Sequence, residues 1–299
     1  MPTITAQLSL PPHFRANDFF AFHLRDQQNI AEIVEGNLLH KGILWEGSSA
    51  QLVIAIGECN ATISLDIDDQ KAIPCEQKVV ELGKHMLGLQ QDIEKFEVQY
   101  LSHPVIGQLI SHQRGLRIYQ SASAFEALVW AIIGQQISVT AAIAIRRRFI
   151  QATGSVHSSG IWCFPDAQHV SAVDDDTLRK TGFSMGKIVA IRALCDAILN
   201  KQIDLSARID HHNAQELTDQ LIRLKGIGPW TVSYALLRGF NYLDGSLHGD
   251  VAVRRNLQPL LGIEIQPTAK ETEKWLEAFS PWRALVAAHL WRSQSAAGY

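Results

Sequence analysis

Hydrophobic positions along the chain change their period once. Near the N-terminus they sit in short β-favouring runs. Gly42-Ile43-Leu44-Trp45 and Gln51-Leu52-Val53-Ile54-Ala55-Ile56 are separated by the turn-forming Glu46-Gly47-Ser48-Ser49, which predicts a hairpin. Residues 61–67 alternate apolar and polar as a third strand, and residues 78–87 read as a helix. From about Pro104 the β signals almost vanish. Ser123-Ala124-Phe125-Glu126 predicts a capping box opening a helix that buries Phe125, Leu128, Val129 and Ile132. Gly134 separates it from a second helix over residues 138–149, which ends in Arg146-Arg147-Arg148. Further helices are predicted over residues 177–181, 187–199, 215–224 and 231–237. Ser280-Pro281 supplies an N-cap and an N1 proline for a last helix carrying Trp282, Leu285, His289 and Trp291. The expected fold is an α+β N-terminal domain, residues 1–104, with an antiparallel sheet and helices, followed by a mostly all-α region, residues 105–299.

Composition narrows the function classes. With 46% hydrophobic and 19% charged residues the chain is an ordinary soluble globular protein, long enough for two domains. A formal net charge of −3 gives no global attraction to nucleic acid, so any such contact must come from a local basic patch and neutral backbone donors. Cys59, Cys75, Cys163 and Cys195 lie far apart with no C-x-x-C pair, which leaves no zinc or iron–sulfur spacing. Asp66, Asp68 and Asp69 are not followed by an EF-hand pattern and read as a solvated acidic turn. The first residues carry no basic and apolar leader pattern, and no apolar run approaches the about 20 residues of a membrane span. A reducing, aqueous compartment is expected, with no metal site.

The chemistry concentrates in residues 224–255. Gly226-Ile227-Gly228 lies between two predicted helices, and two residues without Cβ let backbone N–H groups approach a phosphate. No strand precedes it, as a dinucleotide fingerprint requires, and Pro229-Trp230 stands where a P-loop needs Lys-Ser/Thr. The tripeptide alone also fits a tight helix–helix corner, but the flanking helices, with Trp230 and Tyr234 following, make a helix-hairpin-helix the better reading. Asp250 follows in His248-Gly249-Asp250 and precedes Val251-Ala252-Val253-Arg254-Arg255 at helical spacing, so it is a predicted N-cap. Amides and dipole at a helix N-terminus favour a negative charge. A carboxylate beside a nucleotide sugar would stabilise the oxocarbenium-like charge of glycosidic cleavage, or orient the attacking water.

Lys225-Gly226-Ile227-Gly228-Pro229-Trp230-Thr231 with His248-Gly249-Asp250 resembles the helix-hairpin-helix (HhH-GPD) DNA glycosylase superfamily. Ile132-Ile133-Gly134-Gln135-Gln136-Ile137-Ser138, Pro281-Trp282-Arg283-Ala284 and Leu290-Trp291 are similar to the 3-methyladenine DNA glycosylase II (AlkA-type) group, over roughly residues 104–299. The N-terminal domain is compatible in architecture with that group's TATA-binding-protein-like domain. The resemblance implies Asp250 as the catalytic carboxylate. It implies Trp230, Tyr234, Trp291 and Gln135 as base-binding residues. It implies Gln136, Gly226, Gly228, Thr231 and Lys225 as DNA contacts, with Gln136 rather than an aliphatic wedge filling the gap left by a flipped base. Hairpin carbonyls of Ile222, Leu224 and Ile227 would hold a monovalent cation, and no cofactor is otherwise required.

Relatives with lyase activity carry a lysine immediately after the hairpin for Schiff-base formation; here Trp230 stands there. A monofunctional glycosylase acting on alkylated bases in double-stranded DNA is therefore expected, with a bifunctional glycosylase/lyase and a non-catalytic DNA-binding module as alternatives. Aromatic walls attract the cationic purines left by N3- or N7-alkylation, which are already good leaving groups. A base inside a duplex must be flipped to be reached. Arg146–Arg148 would either add phosphate contacts or be a solvated helix end. The expected protein is a monomer off the membrane, cytoplasmic beside the nucleoid in a prokaryote or nuclear in a eukaryote.

Overall fold

In the computed structural model, which describes residues 3–69 and 75–292, the alternating stretches pair into one sheet. In chain order the first elements are β1 (Thr3–Ser9), α1 (Ala16–His23), β2 (Glu32–Glu35), β3 (Leu38–Trp45), β4 (Ser48–Ile56), β5 (Asn60–Ile67) and α2 (Glu76–Met86). The β3–β4 turn is two residues, Glu46 and Gly47, both at positive φ (50° and 87°), with Trp45 opposite Ser48. That backbone twist matches the strands it joins. Ala50, Leu52, Ile54 and Ile56 of β4 and Ala61, Ile63, Leu65 and Ile67 of β5 bury one face, against Phe19 and Phe22 of α1 and Val79 and Met86 of α2.

The helical part comprises α3 (Ile93–Tyr100), α4 (Gly107–His112), α5 (Ala124–Gly134) and α6 (Val139–Thr153), then β6 (Ser155–Val156) and β7 (Trp162–Cys163). It continues with α7 (Ala167–Ser171), α8 (Asp175–Thr181), α9 (Met185–Leu199), α10 (Ala214–Ile222), α11 (Pro229–Gly239), α12 (Val251–Leu261), α13 (Ala269–Glu277) and α14 (Arg283–Arg292). The loss of β structure after Pro104 is therefore incomplete: β6 and β7 extend the N-terminal sheet in the order β1-β5-β4-β3-β7-β6, with β2 also on β3. Two-residue strands have no period to read. β7 docks in parallel at Gly42, where a Cβ would lie 2.0 Å from the Trp162 carbonyl oxygen, so only glycine admits it. The apolar clusters also cross residue 104. Ile93, Phe96 and Tyr100 of α3 pack with α11, α12 and α14, while Tyr119 packs under the sheet.

Three local expectations are corrected. Ser123 caps α5 through Glu126 N–H, but the Glu126 carboxylate does not close the box. It turns inward, accepting from Lys41 Nζ at 2.8 Å and Arg146 Nη2 at 2.7 Å. Glu32 on β2 binds the same two cations and His23 Nδ1, so buried charges bridge the sheet to α5 and α6. Burial alone would push the Glu32 carboxyl up, but Arg146 and Lys41 outweigh it and hold the group well below the usual carboxylate range. Only part of the arginine run is a solvated helix end: Arg146 is buried, Arg147 is half-buried and pairs with Asp26 at 3.1 Å, while Arg148 is exposed and donates to the Thr181 carbonyl. Last, Ser280-Pro281 lies outside α14. The helix begins at Arg283, whose N–H donates to Asp244, and Ser280 Oγ donates to the same carboxylate.

Candidate active site

Asp250 caps α12 with extended backbone, as its position before an apolar helical run requires. Its Oδ1 accepts from Ala252 N–H at 2.8 Å, Val253 N–H at 3.1 Å and Trp291 Nε1–H at 3.1 Å. Its Oδ2 accepts from Trp230 Nε1–H at 2.8 Å. An indole N–H can only donate, so both tryptophans fix the carboxylate's orientation. Oδ1 is crowded with three donors, while Oδ2 keeps an open lone pair. That oxygen is the one able to face a sugar or a water.

The carboxylate stands in a cleft of about 650 Å³ lined by side chains from α5, α11, α12 and α14. Trp130, Trp230, Tyr234 and Trp291 give its aromatic walls, with the Trp230 and Tyr234 rings 5.4 Å apart and tilted by 31°. Gln135 and Gln136 line it from the α5–α6 connection. Gln136 is exposed at φ 58°, a left-handed conformation that a non-glycine residue adopts at some cost.

The hairpin between α10 and α11 lies beside this cleft. Gly226 turns at φ 87°, and a Cβ there would meet the Ala190 Cβ at 2.8 Å. Gly228 has nothing within 4 Å of its would-be Cβ, so the fold itself does not demand glycine there. Pro229 opens α11 and no side chain caps it, leaving first-turn amides for an external acceptor. Gln135 Nε2 donates to the Gly226 carbonyl at 3.0 Å and the Thr231 hydroxyl at 2.9 Å, welding the α5–α6 connection to the hairpin. Thr231 is thereby buried at 2% exposure, its hydroxyl accepting from Gln135 and leaving only its backbone for an outside contact. Lys225 is exposed on the hairpin.

Residues 129–281, half of the chain, match the family model described as HhH-GPD superfamily base excision DNA repair protein. The chain belongs to the HhH-GPD superfamily. It is 23% identical over 301 residues to a DNA-3-methyladenine glycosylase of Bacillus subtilis, covering 95% of both chains. It is 28% identical to DNA-3-methyladenine glycosylase 2 of Escherichia coli, over 63% of this chain and 64% of that one. The fold superposes on a 3-methyladenine DNA-glycosylase from Archaeoglobus fulgidus with a TM-score of 0.78 at 21% identity, covering 96% and 97% of the two chains.

In this HhH-GPD chain the structure brings Asp250, Trp230, Tyr234, Trp291, Gln135 and Gln136 to one cleft. Sequence reasoning missed Trp130 and Arg255, which also line it. Trp130 lies one helical turn before Gly134 and shares its face, a spacing that could have pointed to it. Arg255 sits exposed at the rim, inside the arginine pair after Asp250. Among the described residues no lysine lines the cleft. Lys187 approaches from α9, but its Nζ donates to the Ile133 carbonyl at 2.8 Å and burial pushes its ammonium down. Among the described residues no group of His, Cys, Asp and Glu could hold a metal ion, and no helix is long and apolar enough to cross a membrane. The four cysteines are free, with burial pushing the Cys195 thiol up to about 12.

Proposed function

We propose that this chain is a monofunctional DNA glycosylase that flips alkylated bases such as 3-methyladenine and 7-methylguanine out of double-stranded DNA and excises them, leaving an abasic site. The observation that carries the reading is one carboxylate held by two indole N–H groups in an aromatic-walled cleft that, among the described residues, no lysine lines. In the reaction the C1′–N bond breaks with its electron pair leaving on the base, so an N-alkylated cationic base departs neutral. Positive charge grows on C1′ and the ring oxygen, and Asp250 Oδ2 stabilises it. Water then adds its oxygen to C1′ and releases one proton to solvent. The tryptophan and tyrosine faces favour cationic bases, and Gln136 stands at the rim to occupy the vacated stack.

The hairpin amides would grip the phosphate backbone, with Lys225 adding charge. The carbonyls of Ile222, Leu224 and Ile227 suit a monovalent cation. They are neutral oxygens, and the Leu224 carbonyl accepts only the Ile227 N–H at 3.1 Å, keeping a second lone pair. Such an ion would rigidify the hairpin. The proposed acting form is a monomer.

Incubation with methylated duplex DNA followed by chromatography of the released bases tests the reading. Free 3-methyladenine and 7-methylguanine are expected. Tight DNA binding with no free base would leave only the binding-module alternative.

A further inference from the structure

Behind the base cleft lies a second, water-sized cavity of about 30 Å³, lined by groups that include Arg25, Glu126, Arg146, Trp130 and Tyr234. Trp130 and Tyr234 line both spaces, so they are the partition between them. Arg25 follows α1, in the part of the chain that otherwise contributes nothing to the cleft. Its guanidinium carbon lies 4.1 Å from the Phe22 ring centroid and 5.3 Å from that of Trp130. Its Nε and Nη2 are buried with no hydrogen-bond partner.

Nearby carboxylates are committed elsewhere. Asp26 pairs with Arg147, and Glu32 and Glu126 share Lys41 and Arg146. A second guanidinium, Arg238, stacks on the other aromatic neighbour, 4.7 Å from the Phe22 centroid, and hydrogen-bonds to Tyr234. Burial, with Arg25 adding to it, pushes Arg238 down to about 10, the signature of positive charge confined at low polarity. A cation is thus placed against the same indole that a bound base would touch from the cleft.

We propose that Arg25 is a specificity-determining residue of the base cleft: it already occupies the π-system of Trp130 and so handicaps cationic bases relative to neutral ones. An aromatic ring attracts a cation through its quadrupole, and a second cation on the same ring meets a depleted π-cloud and direct repulsion. A neutral base stacks without that cost. The proposal rests on the glycosylase reading above.

The test uses the full chain and two duplexes, one with a single 7-methylguanine (cationic) and one with a single hypoxanthine (neutral). Single-turnover excision rates are measured on the same protein sample. Arg25→Met, which keeps the apolar contacts with Phe22 and Trp130, is expected to raise the 7-methylguanine to hypoxanthine rate ratio roughly three- to fivefold. Arg25→Lys should return the ratio towards that of the parent. Loss of folded protein lowers both rates together and cancels in the ratio, and Arg25→Gln gives a second reading if the Met variant expresses poorly. A ratio that stays within about twofold of the parent, or that moves towards hypoxanthine, overturns the proposal. Parent protein that releases neither base would instead remove the glycosylase reading itself.

Discussion

Replacing Asp250 by Asn removes one negative charge and almost nothing else. In the proposed reaction, with the sugar at about 4 Å and an effective dielectric near 20, that charge would stabilise an oxocarbenium-like centre by about 4 kcal/mol. At 1.36 kcal/mol per decade this is about a thousandfold in rate. The asparagine oxygen can keep the cap contacts to Ala252 and Val253 N–H. Its amide nitrogen, however, would face the Trp230 Nε1–H that now donates to Oδ2 at 2.8 Å, two donors head to head. Losing that bond costs about 1–3 kcal/mol. A domain stable by roughly 5–15 kcal/mol survives it. The hairpin is untouched. The assay is single-turnover release of 3-methyladenine from methylated duplex, with duplex binding followed in parallel by fluorescence anisotropy. Asp250→Asn should lose about three decades of rate and keep its DNA affinity. A variant within about tenfold of the parent rate would refute an electrostatic role for this carboxylate.

Trp230→Phe keeps the cleft wall beside Tyr234 but deletes the indole donor. Excision of cationic and neutral bases should slow alike, by about tenfold for one charge-assisted hydrogen bond, and an unchanged rate would show that the indole does not position Asp250. Gly228→Val places its side chain in open space, so the melting temperature should hold while duplex binding weakens. Binding unchanged in a gel-shift titration would remove the hairpin from the DNA interface. His85 and His289 are held neutral, burial pushing them down to about 4 and about 3. Below the unfolded value near 6.5 the unfolded chain takes up protons the folded one refuses. Stability should therefore fall as pH drops, by roughly 4 kcal/mol for the pair between pH 7 and pH 5. Urea midpoints that do not move over that range would contradict their neutral burial.

Long periodic segments were legible in the sequence. The alternation in β4 and β5 and the apolar face of α5 carry their own signal, and the Asp250 N-cap follows from a polar residue before an apolar helical run. The other site residues, Trp230, Tyr234, Trp291, Gln135 and Gln136, were legible only through the resemblance of three separate motifs to the HhH-GPD superfamily. What escaped depends on distant partners. Glu126 is a good N3 residue by local rules, yet Lys41 and Arg146 offer two charges where the N-cap amide offers one neutral donor. Arg146 and Arg147 read locally as a solvated helix end, because Glu32 and Asp26 are brought to them only by the fold. Two-residue strands such as β6 and β7 have no pattern at all, and the start of α14 is set by Asp244, some forty residues away. The indole clamp on Asp250 is of the same kind, since nothing local tells which way the ring nitrogens of Trp230 and Trp291 point.

In the proposed reaction the site cuts the glycosidic bond and stops there. An end-labelled duplex with one 7-methylguanine, incubated with the protein and split into untreated and alkali-treated halves, tests it in one gel. A full-length strand is expected in the untreated half, with breakage at the lesion only after alkali. A strand broken before alkali, or one that resists alkali altogether, would contradict it.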